Sequence, residues 1–197
     1  MRPVRRLSIP QRRRVFLGCE GESEQGYGAL LSRLLEQRCI EENRPPDIHL
    51  DPVLLRPGGG DPLALVELAL RLIAEGGSKR GAYAIQAVLL DADKLGQAPE
   101  RDRQMREVAA TANLRLIWQR PCHEALLLRH LENCHDQRPP TAKEAIQRLT
   151  RHWPNYVKGL SAIKLAQRID ASAVRQAALV EPELHEFLDE IGFRLRQ

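Results

Sequence analysis

The strongest constraint on the fold is a repeated change of hydrophobic period along residues 15–118. Short apolar runs at Val15–Cys19, Ile85–Leu90 and Leu114–Trp118, and a loosely alternating stretch at Ile48–Leu55, are separated by stretches whose Leu, Ile and Ala recur at helical spacing. Runs of that length bounded by turn residues read as buried strands. Strands separated by helices form βαβ units, so the sheet is mostly parallel and needs helices on both faces. The first helix runs from Ser23 through Leu30, Leu31, Leu34, Leu35 and Ile40, with a stop near Asn43 before Pro45-Pro46. After the loop Pro57-Gly58-Gly59-Gly60, Asp61 as N-cap and Pro62 at the first helical position open a second helix. Gly76-Gly77 is its expected end. A third helix spans Pro99 to Ala112.

Beyond Pro121 the strand signal ends, and Leu126–Leu131, Ala145–Leu149, Ile163–Ile169 and Leu184–Ile191 read as helical. The expected architecture is α/β and Rossmann-like: a four-stranded layer over residues 15–120, then a helical segment, 121–197, packed on or beside it. Aromatic residues make up only 4%, so the core is built from Leu, Ile, Val and Ala. No apolar run approaches the ~18 residues of a membrane span. The net charge of +4 is unevenly placed. Arg2, Arg5, Arg6, Arg12, Arg13 and Arg14 stand in residues 1–14 without one acid, which suggests a flexible basic arm. Arg13-Arg14-Val15-Phe16-Leu17 mimics a twin-arginine export signal, but Glu20, Glu22 and Glu24 follow where an apolar segment belongs. Cys19, Cys39, Cys122 and Cys134 sit in a chain long and apolar enough to need no staples, so a cytoplasmic protein with reduced thiols is expected.

In open α/β sheets ligands gather beyond the carboxyl ends of the strands. The first strand ends in Cys19-Glu20 and the third in Asp91-Ala92-Asp93, so neighbouring strands would bring three carboxylates to one edge. Left alone they repel and raise one another's pKa values. A hard divalent cation removes the conflict, and Mg²⁺ favours a few carboxylates completed by water and phosphate oxygens. Asp91 and Asp93 alone read equally well as helix-cap or loop residues; Glu20 at the matching strand end turns the balance towards a metal site.

Glu20-Gly21-Glu22-Ser23-Glu24-Gln25-Gly26-Tyr27 resembles the E-G-E-x-T-E-x-x-Y opening of RloB-like proteins. The resemblance continues through Gly60-Asp61-Pro62, Asp91-Ala92-Asp93, the segment Pro121 to His130, and Tyr156-Val157-Lys158. It is collinear over roughly residues 15–170. It implies a Toprim-like fold and a Mg²⁺- or Mn²⁺-dependent nuclease acting on DNA or RNA in bacterial anti-phage defence. Glu20 then matches the general acid/base, and Asp91 and Asp93 the metal-binding pair. Glu24, Asp61, Glu124 and Lys158 fall on supporting positions. The chain departs from the family pattern at Ser23 (Thr), Arg120 (Asn), His123 (Phe) and Ala125-Leu126 (an aromatic-containing pair). An effector activated by a separate ATPase partner is the alternative, since relatives are commonly encoded beside one. A haloacid-dehalogenase-type phosphatase using Asp91 and Asp93 ranks lower, because Lys94 follows where Thr or Val belongs.

Other signals are weaker. Pro57-Gly58-Gly59-Gly60-Asp61 lacks the Gly-Lys-Ser/Thr of a P-loop. His123, His130 and Cys134 share a helix face without the paired ligand spacing of a zinc site, so packing roles are expected. Arg148, Arg151, Lys164 and Arg168, interleaved with Trp153 and Tyr156, could track a phosphate backbone and stack a base. The competing reading has solvated cations and a core tryptophan.

Overall fold

A computed structural model describes residues 12–56 and 60–193. The Arg-rich arm up to residue 11 and Pro57-Gly58-Gly59 of the glycine loop lie outside the described residues. The chain folds as an α/β protein around one four-stranded sheet, β1 (Arg13–Cys19), β2 (Ile48–Leu54), β3 (Ile85–Asp91) and β4 (Arg115–Gln119), all parallel, in the order β2-β1-β3-β4. β1 is therefore central, and its last residue, Cys19, pairs with Leu54 on one side and Leu89 on the other. Pro52, which cannot donate to a ladder, stands on the edge strand β2.

Alternation along the strands divides the interior. Val15, Leu17, Leu50, Ala87, Leu89 and Ile117 share one cluster with α1 (Glu22–Glu41) and with helices from the C-terminal part of the chain. Phe16, Val88, Leu90 and Trp118 face α2 (Pro62–Arg80) and α3 (Pro99–Thr111) on the other side. The C-terminal helices are α4 (His123–Arg129), α5 (Ala142–His152), α6 (Ala162–Leu165), α7 (Ala171–Ala178) and α8 (Pro182–Glu190). Trp153, Leu165, Val174 and Phe187 from these segments lie in the same cluster as Tyr27 and Leu30 of α1.

Several boundaries differ from the sequence reading. β1 starts at Arg13, because Arg14 is tied into the sheet. Its Nη2 donates to Asp51 Oδ2 at 2.8 Å, its Nη1 to the Gly76 and Gly81 carbonyls, and its guanidinium lies 3.9 Å from the Tyr83 ring centroid. α2 passes through Gly76-Gly77 and ends at Arg80, where Gly81 takes φ +87°. Gly76 makes room instead of stopping the helix: a Cβ there would lie 2.9 Å from the Tyr83 hydroxyl. α6 is a single turn, shorter than Ile163–Ile169, and α7 was not evident from the sequence at all. Asp170 caps α7 through Oδ1, which accepts from Ala173 N–H.

Candidate active site

β1 and β3 are neighbours, and their carboxyl ends reach the same level, so Glu20 and Asp91 share one edge of the sheet. α1 begins immediately after Glu20. Gly21 has no side chain to cap it, and Glu24 turns back so that Oε2 accepts the Gly21 N–H at 3.0 Å. Glu124 arrives from the first turn of α4, and Lys158 from the loop before α6. Glu20, Glu24, Asp91, His123, Glu124 and Lys158, with the Gly21–Ser23 turn and Gly159, line an open cavity of about 380 Å³.

The electrostatics are those of crowded acids. Burial, followed by the charges of Glu24, Glu20, Asp93 and Glu124, pushes the Asp91 carboxyl up to about 8. Its Oδ1 is buried without a hydrogen-bond partner. Burial likewise raises Glu20, opposed by the Asp91 backbone N–H and by the Lys94 ammonium, which stands 4.0 Å away. Burial also acts against Glu124, but Lys158 outweighs it and holds that carboxyl below its usual range. Lys158 Nζ lies 3.1 Å from Glu124 Oε1, which also accepts from the Tyr156 hydroxyl at 3.4 Å. The same loop is anchored where Gly159 N–H donates to Ser23 Oγ at 2.9 Å. Leu160 presses on α1 so closely that a Cβ on Gly26 would fall 2.1 Å from its carbonyl oxygen.

Not every residue singled out by sequence joins this cavity. Asp93 is exposed in the 3-10 turn Ala92–Lys94 and does not line it. Asp61 stands at the N-cap of α2, outside the cavity, and its carboxylate pairs with the guanidinium of Arg101. Trp153 and Tyr156, 7% and 8% exposed, are core residues, which corrects the base-stacking role: neither ring offers a free face. Of the interleaved cations, Arg148 pairs with Glu144 and Arg168 donates to the His152 carbonyl, while Arg151 and Lys164 are exposed. His130 is a packing residue whose Nδ1–H donates to the Leu126 carbonyl and whose Nε2 accepts the Tyr27 hydroxyl. Gln119, at the end of β4, was missed by sequence; only its register with Asp91 brings it in. All four cysteines are free and buried, and no described helix is long and apolar enough to cross a membrane.

No curated protein and no solved structure matches the chain. A family model described as RloB-like protein matches residues 15–188, a span that takes in every side chain lining the acidic cavity. The chain belongs to the RloB-like family.

Proposed function

We propose that the protein is a Toprim-type, Mg²⁺-dependent nuclease that hydrolyses phosphodiesters of DNA or RNA in bacterial anti-phage defence. The observation that carries this reading is the Asp91 carboxyl, buried with one oxygen unpartnered among Glu20, Glu24 and Glu124. Such a group is costly unless something positive faces it. Among the described residues no three His, Cys, Asp or Glu side chains are arranged to hold a metal ion by themselves. Mg²⁺ is bound through one or two carboxylates, its other positions left to water and substrate phosphate. The donor set is all hard oxygen, and Glu20 and Asp91 are the residues that would hold the ion. Bound there, the cation supplies Lewis-acid polarisation of the scissile phosphate.

The chain's own groups divide the remaining work. Lys158, mostly exposed at the cavity rim, offers a phosphate its ammonium, and Glu124 fixes where that ammonium stands. The capping bond from Gly21 holds Glu24 back from the cavity mouth, so Glu20 is the carboxylate placed to accept a proton. Exposed Arg151 and Lys164 add salt-dependent attraction for a polyanion.

The test is cleavage of DNA, total tRNA and other RNA by purified protein with Mg²⁺ or Mn²⁺, beside Asp91→Ala and Glu20→Ala. Cleavage that needs metal and disappears in both variants is expected. Full metal-dependent cleavage by Asp91→Ala would overturn the mechanism. Activity that appears only when an ATPase partner is added would move the assignment to a partner-activated effector.

A further inference from the structure

Below the acidic cavity, three buried polar atoms lack partners: Asp91 Oδ1, Gln119 Oε1 and His123 Nε2. They sit at the end of β3, the end of β4 and the start of α4. Asp91 and Gln119 are Cα partners in the β3–β4 register, and side chains in register on adjacent strands project from the same face. Gln119 is 0% and His123 2% exposed, so neither can be satisfied by bulk solvent. The one bond between them sets Gln119 Nε2 2.6 Å from His123 Nδ1. With the amide nitrogen facing the ring nitrogen, His123 must carry its proton on Nε2, where no acceptor stands, and the Gln119 carbonyl is stranded as well.

Half a turn of the Gln119 carboxamide changes this count. Oε1 then accepts from His123 Nδ1–H, and Nε2 is free to donate onward. Asp91 Oδ1 is the unpartnered acceptor on the neighbouring strand. With Asp91 ionised, as a cation-holding carboxylate is, a bond from Nε2 to Oδ1 would leave one orphaned atom instead of three, and amide orientation follows the network that satisfies most partners. Burial favours the neutral imidazole that this arrangement needs. The ring plane is set by Tyr27, edge-on at 5.9 Å, which is itself fixed by its bond to His130.

We infer that His123 and Gln119 are positioning residues for Asp91: His123 Nδ1–H donates to Gln119 Oε1, and Gln119 Nε2–H donates to Asp91 Oδ1. The buried oxygen is thereby held, and the Asp91 carboxylate presents its other oxygen to the cavity in one orientation. The functional part of this inference rests on the reading of Asp91 as a cation-holding residue.

Imidazole ¹⁵N spectra of the metal-free protein, with the His123 signals identified by their loss in His123→Phe, report the tautomer directly. Protonation of Nδ1 is expected; protonation of Nε2 would overturn the hydrogen-bond chain, whatever the protein does with metal. Mn²⁺ binding by calorimetry supplies the second readout. His123→Phe and Gln119→Leu are expected to weaken it about 10–100-fold, the usual consequence of losing a group that orients a metal ligand. His123→Asn, whose Nδ2–H replaces the Nδ1 donor, is expected to stay within about threefold of wild type. Melting curves confirm that the variants are folded. Wild-type affinity in a folded His123→Phe would overturn the positioning role. A wild type that takes up no Mn²⁺ would instead overturn the metal reading of the cavity, while the tautomer still decides the bond between His123 and Gln119.

Discussion

Replacing Asp91 by Asn should make the metal-free protein more stable, the reverse of what most changes at a buried polar position do. Burial and four neighbouring carboxylates move the Asp91 carboxyl from 3.8 to about 8. A carboxyl raised in the folded chain keeps its proton after the unfolded chain has lost it. Its contribution is therefore complete at low pH and drains away as pH rises from about 4 towards 8. Each unit in that window removes about 1.36 kcal/mol, so the step from pH 5 to pH 7 removes about 2.7 kcal/mol. The cavity is open, and water screens part of that, leaving about 1.5–2.5 kcal/mol. Asn cannot ionise, so Asp91→Asn should recover this amount at pH 7 and flatten the pH dependence. For a chain of this size the gain corresponds to a rise in Tm of about 3–10 °C. The assay is thermal unfolding of both proteins in EDTA from pH 5 to pH 8, repeated with Mg²⁺. The cation should stabilise the wild type alone and narrow the gap. A variant that melts at or below wild type at pH 7 in EDTA, with the wild-type pH slope intact, would refute the crowding argument.

Three further changes probe the surroundings. Lys158→Met leaves buried Glu124 without the ammonium that faces it and should destabilise by about 1 kcal/mol at neutral pH; chemical denaturation should show most of the loss restored by adding Glu124→Gln. Gly26→Ala would gain about 1 kcal/mol from helix propensity alone, but the Leu160 carbonyl 2.1 Å from the new Cβ reverses the sign. A net loss of about 1–3 kcal/mol is expected, with amide exchange quickening across residues 157–161. Tyr27→Phe strands the His130 Nε2 lone pair in the core and should cost about 1–2 kcal/mol in a urea titration, with the fold otherwise preserved.

The sheet could be read from the sequence because β1 and β3, its two inner strands, are largely buried and appear as apolar runs, whereas the adjacency that brings Glu20 to Asp91 was a condition that the strand order meets. The misjudged features depend on contacts distant in sequence. Gly76 looks like a helix stop until Tyr83 is seen against it. Asp61 is the N-cap that the sequence predicts, but its ion pair with Arg101, forty residues on, has no local signal. α7 is packed by Val174, Ala177 and Ala178, too small a set to produce a clear period. Asp93, paired with Asp91 by its place at the strand end and by the resemblance, is exposed in a 3-10 turn starting at Ala92, yet its charge still reaches Asp91. Trp153 and Tyr156 among basic residues look like a nucleic-acid surface, and only burial shows that their rings belong to the core.

The cavity draws its two ends from opposite ends of the chain, and that imposes an order on its birth. Glu20 and Asp91 are in place once the first three strands exist, whereas Glu124 and Lys158 are made later, and the loop carrying Lys158 seats only when Leu160 finds Gly26. A polypeptide cut short after Gln119 contains Glu20, Asp91 and Lys94 but neither Glu124 with its Lys158 partner nor the helices that cover one face of the sheet. Premature termination before Leu160 thus leaves the cavity without the side of its lining that Lys158 and Gly159 supply.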